Sequence, residues 1–240
     1  MSLSRKRVRA IVAKELREYQ RNRSIVVGMA IFPLIFVVQP LVAVLATSAS
    51  AAVQLRHHHE LVYMLAIPAL VPATLAAYAI VGERQQGTLE PVLSTPIRRE
   101  ELLLGKALAV LIPSVAIAYG VFAVFIALVM LFAHSDVTSA LIRGPDVLAQ
   151  VIFTPLLATW SIWIGIAIST RASETRVAQQ LAVLASLPTI AVTTLIAINV
   201  IHATSGLVFG LGVALLVGSR LGWRLVSAMF DRERLIVSAD

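Results

Sequence analysis

The chain alternates between long apolar runs and short polar segments. Its six apolar runs cover roughly residues 25–47, 61–81, 107–133, 147–169, 179–201 and 206–226. A bilayer core of about 30 Å requires about 20 helical residues, and the first five runs meet that length without extension. The pattern therefore predicts an all-α integral membrane protein, in which residues 25–226 form one domain of six transmembrane helices.

The sixth run is shorter than the others. It extends only from Gly206 to Ser219 before Arg220 interrupts it, too short to cross a bilayer at 1.5 Å per residue. Either Arg220 and Arg224 snorkel toward water and the span continues to Val226, or the preceding turn enters the membrane. The sequence leaves both alternatives open.

The first 24 residues form a basic arm with apolar side chains at helical spacing. These apolar positions are Val8, Ile11, Val12, Leu16 and Tyr19. The spacing predicts an amphipathic interfacial helix that lies on the lipid bilayer and is held there by apolar burial and anionic lipid. The alternative is a solvated, disordered basic tail. The last residues, 227–240, are predicted to form a short polar tail.

The distribution of positive charge predicts the orientation of the protein. If the six runs cross the membrane, all lysines and arginines except Arg56 and Arg143 fall on one side. Cytoplasmic loops carry the excess of lysine and arginine in membrane proteins. We therefore expect both termini to be cytoplasmic, in a multi-pass protein of the plasma membrane.

Composition supports the membrane assignment and narrows the list of partners. Hydrophobic residues make up 58% of the 240 residues and charged residues 14%, with a mean hydropathy of +0.87; soluble domains have about 45–50% apolar and 25% charged residues. The net charge of +7 does not predict nucleic-acid binding, because the basic residues flank apolar runs. The absence of cysteine excludes disulfides and thiolate metal sites.

The chain carries no recognisable catalytic motif. Gly105-Lys106 lacks the rest of a P-loop, and neither His-Glu-x-x-His nor Gly-x-Ser-x-Gly occurs. No ionisable residue falls well inside a predicted span, which argues against an ion-coupled carrier. The polar residues that could line a translocation path are Gln39, Tyr78, Tyr119, Thr159 and Asn199, with Thr154, Ser161, Thr193 and Thr194 as further candidates. Ordinary helix–helix hydrogen bonds would explain each of them more simply.

The histidines are weak candidates for a metal site. His57, His58 and His59 form a run, and His134 and His202 fall in the other predicted outer loops. Histidine is a common copper and zinc ligand, but soft ligands are missing. Polar side chains are expected in loops at the membrane–water interface, which explains these histidines more simply. No metal site is therefore predicted.

The longest polar segment on the positively charged side is residues 82–106. Gly87 can end the helix that leaves the membrane. Thr88 is then a plausible N-cap for a short helix, with Glu90 in its first turn. Leu89, Val92 and Leu93 share one apolar face. That face needs a partner, which is either another protein or the chain's own cytoplasmic ends.

This segment resembles a known family. The sequence Glu83-Arg84-Gln85-Gln86-Gly87-Thr88-Leu89-Glu90, followed by Leu93-Ser94-Thr95-Pro96 and Gly105-Lys106, is similar to the loop between spans 2 and 3 of ABC type-2 transporter permeases. The N-terminal Lys14-Glu15-Leu16-Arg17 resembles that family's elbow helix. The resemblance implies a cytoplasmic coupling helix that docks on a separate ATP-binding-cassette subunit. The residues implied in ATPase coupling are Glu83, Gly87, Thr88, Leu89, Glu90, Val92 and Leu93.

The resemblance also implies a function and an assembly. The chain would be the permease subunit of an exporter, with ATP and magnesium bound only by the partner ATPase. A second permease, identical or homologous, would complete the path. Two stripes of small residues could form that seam or pack within the chain: Gly206, Gly210, Ala214 and Gly218, and Ala178, Ala182, Ala185 and Thr189. The alternatives are a non-transporting membrane scaffold or assembly factor, and a metal-handling protein that uses the outer histidines. The substrate is not predicted.

Overall fold

The computed structural model describes residues 4–47, 59–87 and 97–229. Within these ranges all regular secondary structure is helical, which confirms the predicted all-α class. The helices are α1 (Arg5–Arg21), α2 (Arg23–Leu45), α3 (Glu60–Tyr63), α4 (Ala66–Gln85), α5 (Arg99–Phe132), α6 (Ser135–Leu141), α7 (Gly144–Arg171), α8 (Thr175–Ala197) and α9 (Ser205–Met229).

Five helical segments of the described chain are long and apolar enough to cross a membrane. They are α3 with α4 (Glu60–Gln85), α5, α7, α8 and α9. The apolar part of α2 is shorter and covers Ile31–Leu45. The structure thus supports a multi-pass membrane protein, and the count of six spans, with α2 as the first, stays a prediction.

Helix α4 is the centre of the bundle. Almost all of its side chains are buried, and it packs against α7, α8, α5 and α2. Its alanines meet small residues of α8: Ala73 and Ala77 lie in one apolar cluster with Ala178 and Ala182. The small-residue stripe of α8 therefore packs within the chain at Ala178 and Ala182.

The contact between α4 and α7 is especially close. A Cβ atom added at Gly165 would lie 2.4 Å from the carbonyl oxygen of Ala73. One turn further along α7, the Ser169 hydroxyl accepts hydrogen bonds of 3.0 Å from the backbone N–H groups of Ile80 and Val81. Small residues permit such close backbone approach between helices in a membrane, so α4 and α7 form a tight central pair.

The sixth apolar run forms one continuous helix. Helix α9 extends from Ser205 through Arg220 to Met229, and the side chains of Arg220 and Arg224 are exposed. This arrangement fits the alternative in which the span continues past Arg220. Helix α8 ends at Ala197, earlier than the predicted boundary at residue 201, and Asn199 follows in a turn with φ of 59°.

Helix α1 is amphipathic and packs against the bundle. Its buried face contains Val8, Ile11, Glu15 and Tyr19, and this face contacts α5 and α2. The helix lies beside the last turn of α4 and the first turns of α5. We call this end of the bundle the α1 end and the opposite end the far end. The structure therefore shows an ordered helix where the alternative prediction was a disordered tail.

Candidate functional site

A buried ion pair joins α4 and α5, the two helices that contain the two ends of the polar segment 82–106. Glu83 lies in the last turn of α4 and Lys106 in the second turn of α5, and Lys106 Nζ is 2.9 Å from Glu83 Oε2. The Lys106 side chain is completely buried and Glu83 is 4% exposed. Lys106 also donates a hydrogen bond to the carbonyl oxygen of Ala79. Two charges buried at this depth are tolerated only when they are paired.

Helix α1 completes the ion pair with two further residues. Glu15 Oε1 lies 3.1 Å from Lys106 Nζ, and Lys14 Nζ lies 2.8 Å from Glu83 Oε1. Lys14 also contacts Glu18 on its own helix at 3.1 Å. We call Lys14, Glu15, Glu83 and Lys106 the junction cluster. Lys14 and Lys106 each contact the carboxylates of both Glu15 and Glu83. The cluster therefore holds α1, α4 and α5 together at one point.

Lys14 is the junction residue that reaches water. Burial alone would lower its pKa, but the hydrogen bond to Glu83 and the charges of Glu15 and Glu83 outweigh that effect and raise its pKa above the usual lysine value. Lys14 therefore stays protonated at physiological pH, and its contact with Glu83 is a contact between full charges.

A second attachment joins the N-terminus of α1 to the start of α5. Glu101 is fully buried; its carboxylate accepts a hydrogen bond from the backbone N–H of Ser4 and lies 3.2 Å from the Arg7 guanidinium. The same carboxylate accepts a hydrogen bond from the Arg98 backbone N–H, which caps α5. Helix α1 is thus attached to the helix that follows the polar segment at two places, its N-terminus and Glu15 in its second half.

Between these attachments, α1 and α5 pack without room for an added side chain. A Cβ atom at Gly105 would lie 2.6 Å from Ile11 Cγ2. Gly105 precedes Lys106, so the close approach at the glycine brings Glu15 of α1 within reach of the lysine. This contact gives the Gly105-Lys106 pair a physical role in the junction.

The residues that follow Glu83 hold a different neighbour. The Arg84 guanidinium donates hydrogen bonds to the carbonyl oxygens of Thr170, in the last turn of α7, and of Ala172, in the turn between α7 and α8. Gln85 accepts a hydrogen bond from the Thr175 hydroxyl, at the start of α8. Successive residues of the motif therefore attach the end of α4 to α1, to α5 and to the α7–α8 turn.

Gly87 marks the point where the polar segment leaves the bundle. Helix α4 ends at Gln85. Gly87 has a backbone φ of +68°, a conformation that residues other than glycine rarely adopt. Of the residues implied in ATPase coupling, the structure describes Glu83 and Gly87. The other five, Thr88, Leu89, Glu90, Val92 and Leu93, lie outside the described residues.

Sequence reasoning missed the partners of Glu83. The motifs around Lys14 and Lys106 gave no pairing for these lysines, and neither Glu15 nor Glu101 was assigned a partner, although Glu15, Glu101 and Lys106 are buried. A signal was present in α1, because Glu15 lies one turn from both Ile11 and Tyr19 on the apolar face. A carboxylate on such a face requires a buried cation.

The structure does not bring the path candidates together. Gln39 is exposed on α2, and Asn199 lies in the turn after α8 rather than in a helix. The hydroxyl of Tyr119 donates to the carbonyl oxygen of Val151, and that of Thr159 to the carbonyl oxygen of Pro155 one turn earlier. Tyr78 accepts a hydrogen bond from Gln86 at the α1 end.

Two cavities lie between the described helices, and none of the five leading path candidates lines either one. The smaller cavity, about 350 Å³, lies between α2, α4 and α8 and includes the polar side chains of Thr74, Arg176, Gln179 and Gln180. The larger cavity, about 880 Å³, lies between α7, α8 and α9 in the far half of the bundle and is almost entirely apolar.

The histidine that the structure describes in the His57–His59 run is engaged with acidic and basic neighbours. His59 Nδ1 lies 2.8 Å from Asp146 Oδ1, and Asp146 Oδ2 lies 2.9 Å from the Arg143 guanidinium. His57 and His58 lie outside the described residues, and His134 and His202 are exposed at the far end. In the described ranges, no three histidine or acidic side chains are grouped so that they could hold a metal ion.

The sequence was compared with models of known protein families. The family described as ABC-2 family transporter protein matches residues 9–217. The chain therefore belongs to the ABC-2 transporter family and is a membrane permease of an ABC transporter. The match includes most of α1, the junction cluster and the spans through the middle of α9. Among curated proteins, none matches the chain significantly.

Proposed function

We propose that this permease exports a substrate with energy from a separate ATPase subunit, and that the polar segment 88–96 transmits the motion of the ATPase. ATP and magnesium would be bound by that partner chain. A second permease, identical or homologous, would complete the transporter in the plasma membrane, with both termini in the cytoplasm. Permeases of this family normally work with an ABC ATPase, which supports this kind of partner.

One observation carries the proposal: the helices on both sides of the segment are attached to the same third helix, α1. On one side Glu83 contacts Lys14 and Lys106; on the other, Glu101 is attached to Ser4 and Arg7. A force on the segment would therefore act on α1, α4 and α5 together, and through Arg84 on the α7–α8 turn. Packed elements of this kind move as rigid bodies.

The roles of individual residues follow from this arrangement. Leu89, Val92 and Leu93 would provide the apolar surface that docks on the ATPase, with Thr88 and Glu90 at the start of the helix. Gly87 would set the direction in which the segment leaves α4. Glu83 would position the segment through the junction cluster rather than contact the ATPase, because it is buried.

The test uses the fact that the chain has no cysteine. Spin labels on Leu131→Cys and Phe209→Cys, both highly exposed at the far end, would report the distance between α5 and α9 in the complex with its ATPase. We expect ATP and magnesium to change that distance in the otherwise unchanged protein. The double variant Leu89→Asp/Val92→Asp should lose both the distance change and co-purification of the ATPase.

The control is Ser173→Asp, which adds a carboxylate at an exposed position of the α7–α8 turn at the same end. It should keep the ATPase and the distance change. If the double variant kept both as well, segment 88–96 would not be the coupling element. If no ATPase co-purified with the unchanged chain, the scaffold alternative would be favoured.

A further inference from the structure

We propose that the cavity between α7, α8 and α9 is a binding site for the acyl chains of a membrane phospholipid. We call it the far-half cleft. The cleft measures about 880 Å³, which is within the range of sites that hold small molecules. This inference is independent of the proposed coupling to an ATPase.

The cleft exists because α8 and α9 both pack on α7 but hardly on each other. Phe153 and Leu157 of α7 form its floor, Val192 and Ile196 belong to the α8 wall, and Leu211 and Leu215 belong to the α9 wall. Separation of α8 and α9 therefore leaves an open apolar groove in the far half of the bundle.

The chemistry of the walls selects the occupant. Along the helices the lining is almost entirely apolar, and the region lies within the membrane-spanning helices. Water does not fill an apolar cavity of this kind. Hydrocarbon chains can fill it without leaving polar groups unsatisfied, and they are the abundant apolar molecules in a bilayer.

The polar groups of the cleft are concentrated at its far end. His59, Asp146 and Ser205 lie there, and Arg143 contacts Asp146 beside them; the polar side chains further along the cleft are Thr189 and Thr193 of α8, and the Thr193 hydroxyl donates a hydrogen bond to the carbonyl oxygen of Ile190 on its own helix. An apolar groove with a polar mouth matches a molecule with hydrocarbon chains and a polar headgroup. A phospholipid whose headgroup faces the far end has this distribution, and the arginine and histidine provide N–H donors of the kind that phosphate oxygens accept.

Two glycines of α9 provide a matched pair of variants. Gly212 lines the cleft, whereas Gly210 does not, and an added Cβ would meet no atom within 4 Å at either position. The two residues are about 200° apart around the helix. Gly212→Leu therefore places a side chain in the cleft, and Gly210→Leu places the same side chain outside it, with no clash predicted at the Cβ position.

The experiment labels the protein in phosphatidylcholine vesicles that contain a small fraction of phosphatidylcholine with a diazirine on one acyl chain. After illumination, labelled peptides are identified by mass spectrometry. We expect label to concentrate on the cleft-lining residues of α7, α8 and α9. Gly212→Leu should reduce this labelling several-fold, and Gly210→Leu should leave it unchanged.

Two outcomes would overturn the proposal. Label spread evenly over the exposed apolar surface, or reduced equally by both variants, would mean that lipid only surrounds the protein. A benzophenone attached at Leu216→Cys, on the α9 wall, tests the other occupant: a dominant adduct between two protein chains would show that a second copy fills the cleft, whereas a lipid adduct supports the proposal.

Discussion

Lys106 Nζ lies 2.9 Å from Glu83 Oε2, and the lysine side chain is fully buried. These residues are on the two helices that bracket the polar segment, and Glu15 and Lys14 of α1 complete the cluster. A buried pair of this kind often contributes little net stability compared with apolar residues, but loss of one partner leaves a buried charge uncompensated. The cluster therefore fixes which helices meet at this end.

The first prediction concerns the loss of the carboxylate at this junction. Glu83→Gln should lower the free energy of unfolding by about 3 kcal/mol, at the lower end of the range for breaking a buried pair, because Glu15 still faces Lys106. Denaturation of the purified protein in mild detergent measures the change. Glu100→Gln removes the same charge from an exposed site on α5 and should change the free energy by less than about 0.5 kcal/mol. Equal effects of the two variants would contradict the assigned role of Glu83.

The second prediction concerns the close contact of α1 with α5. Gly105→Ala places a methyl group 2.6 Å from Ile11 Cγ2, and overpacking of this kind costs about 1–3 kcal/mol. Ile11→Gly removes both close atoms, Cγ2 at 2.6 Å and Cβ at 2.8 Å, so Gly105→Ala should be less destabilising in that background than in the unchanged chain. Gly120→Ala, on the same helix with no atom within 4 Å, should be neutral or slightly stabilising. Thermal unfolding followed by circular dichroism compares the variants.

The third prediction concerns the central pair of helices. Gly165→Ala directs a methyl group at the Ala73 carbonyl oxygen, 2.4 Å away. Because the neighbour is backbone of α4 and cannot rotate aside, we expect a larger loss of stability than for Gly105→Ala. Gly206→Ala has open space around it and serves as the control. If Gly165→Ala unfolded at the same temperature as the control, α4 and α7 would not pack as closely as described.

The fourth prediction concerns the conformation of Gly87. Gly87→Ala should cost about 1–2 kcal/mol, the penalty of a left-handed conformation for a residue with a Cβ, because φ is +68° and no neighbouring atom lies within 4 Å. Gly87→Asn should cost less, since asparagine tolerates this conformation better. Chemical denaturation of both variants tests this order. An alanine variant as stable as the asparagine variant would show that the chain does not need the left-handed turn.

The fifth prediction concerns the ion cluster at the far end. Asp146 is 5% exposed and contacts both His59 and Arg143. Asp146→Asn removes the charge that pairs with Arg143, and hydrogen bonds to charged groups are worth about 1.5–3 kcal/mol. Asp136→Asn, at an exposed site in α6, is the matched control. Hydrogen exchange at the start of α3 and α7 should increase only in the Asp146 variant.

Several features could be predicted from sequence because local periodicity determines them. The long apolar runs predicted the helices, and the spacing of Val8, Ile11 and Tyr19 predicted α1. The motif around Glu83 and Gly87 correctly indicated the family. The end of α8 was predicted less well, since residues 198–201 are apolar enough to continue a helix although Asn199 turns the chain.

The sequence by itself determined the helical class, the apolar membrane-spanning segments and the family, because these depend on composition and on patterns within one stretch of chain. The tertiary structure decided which charges are buried and paired: Lys14 with Glu83 and Glu15 with Lys106 come from positions far apart in the chain. It also decided that α8 and α9 separate over α7 and leave a cleft. Such features depend on how helices approach one another in space, which the periodicity of a single helix does not specify.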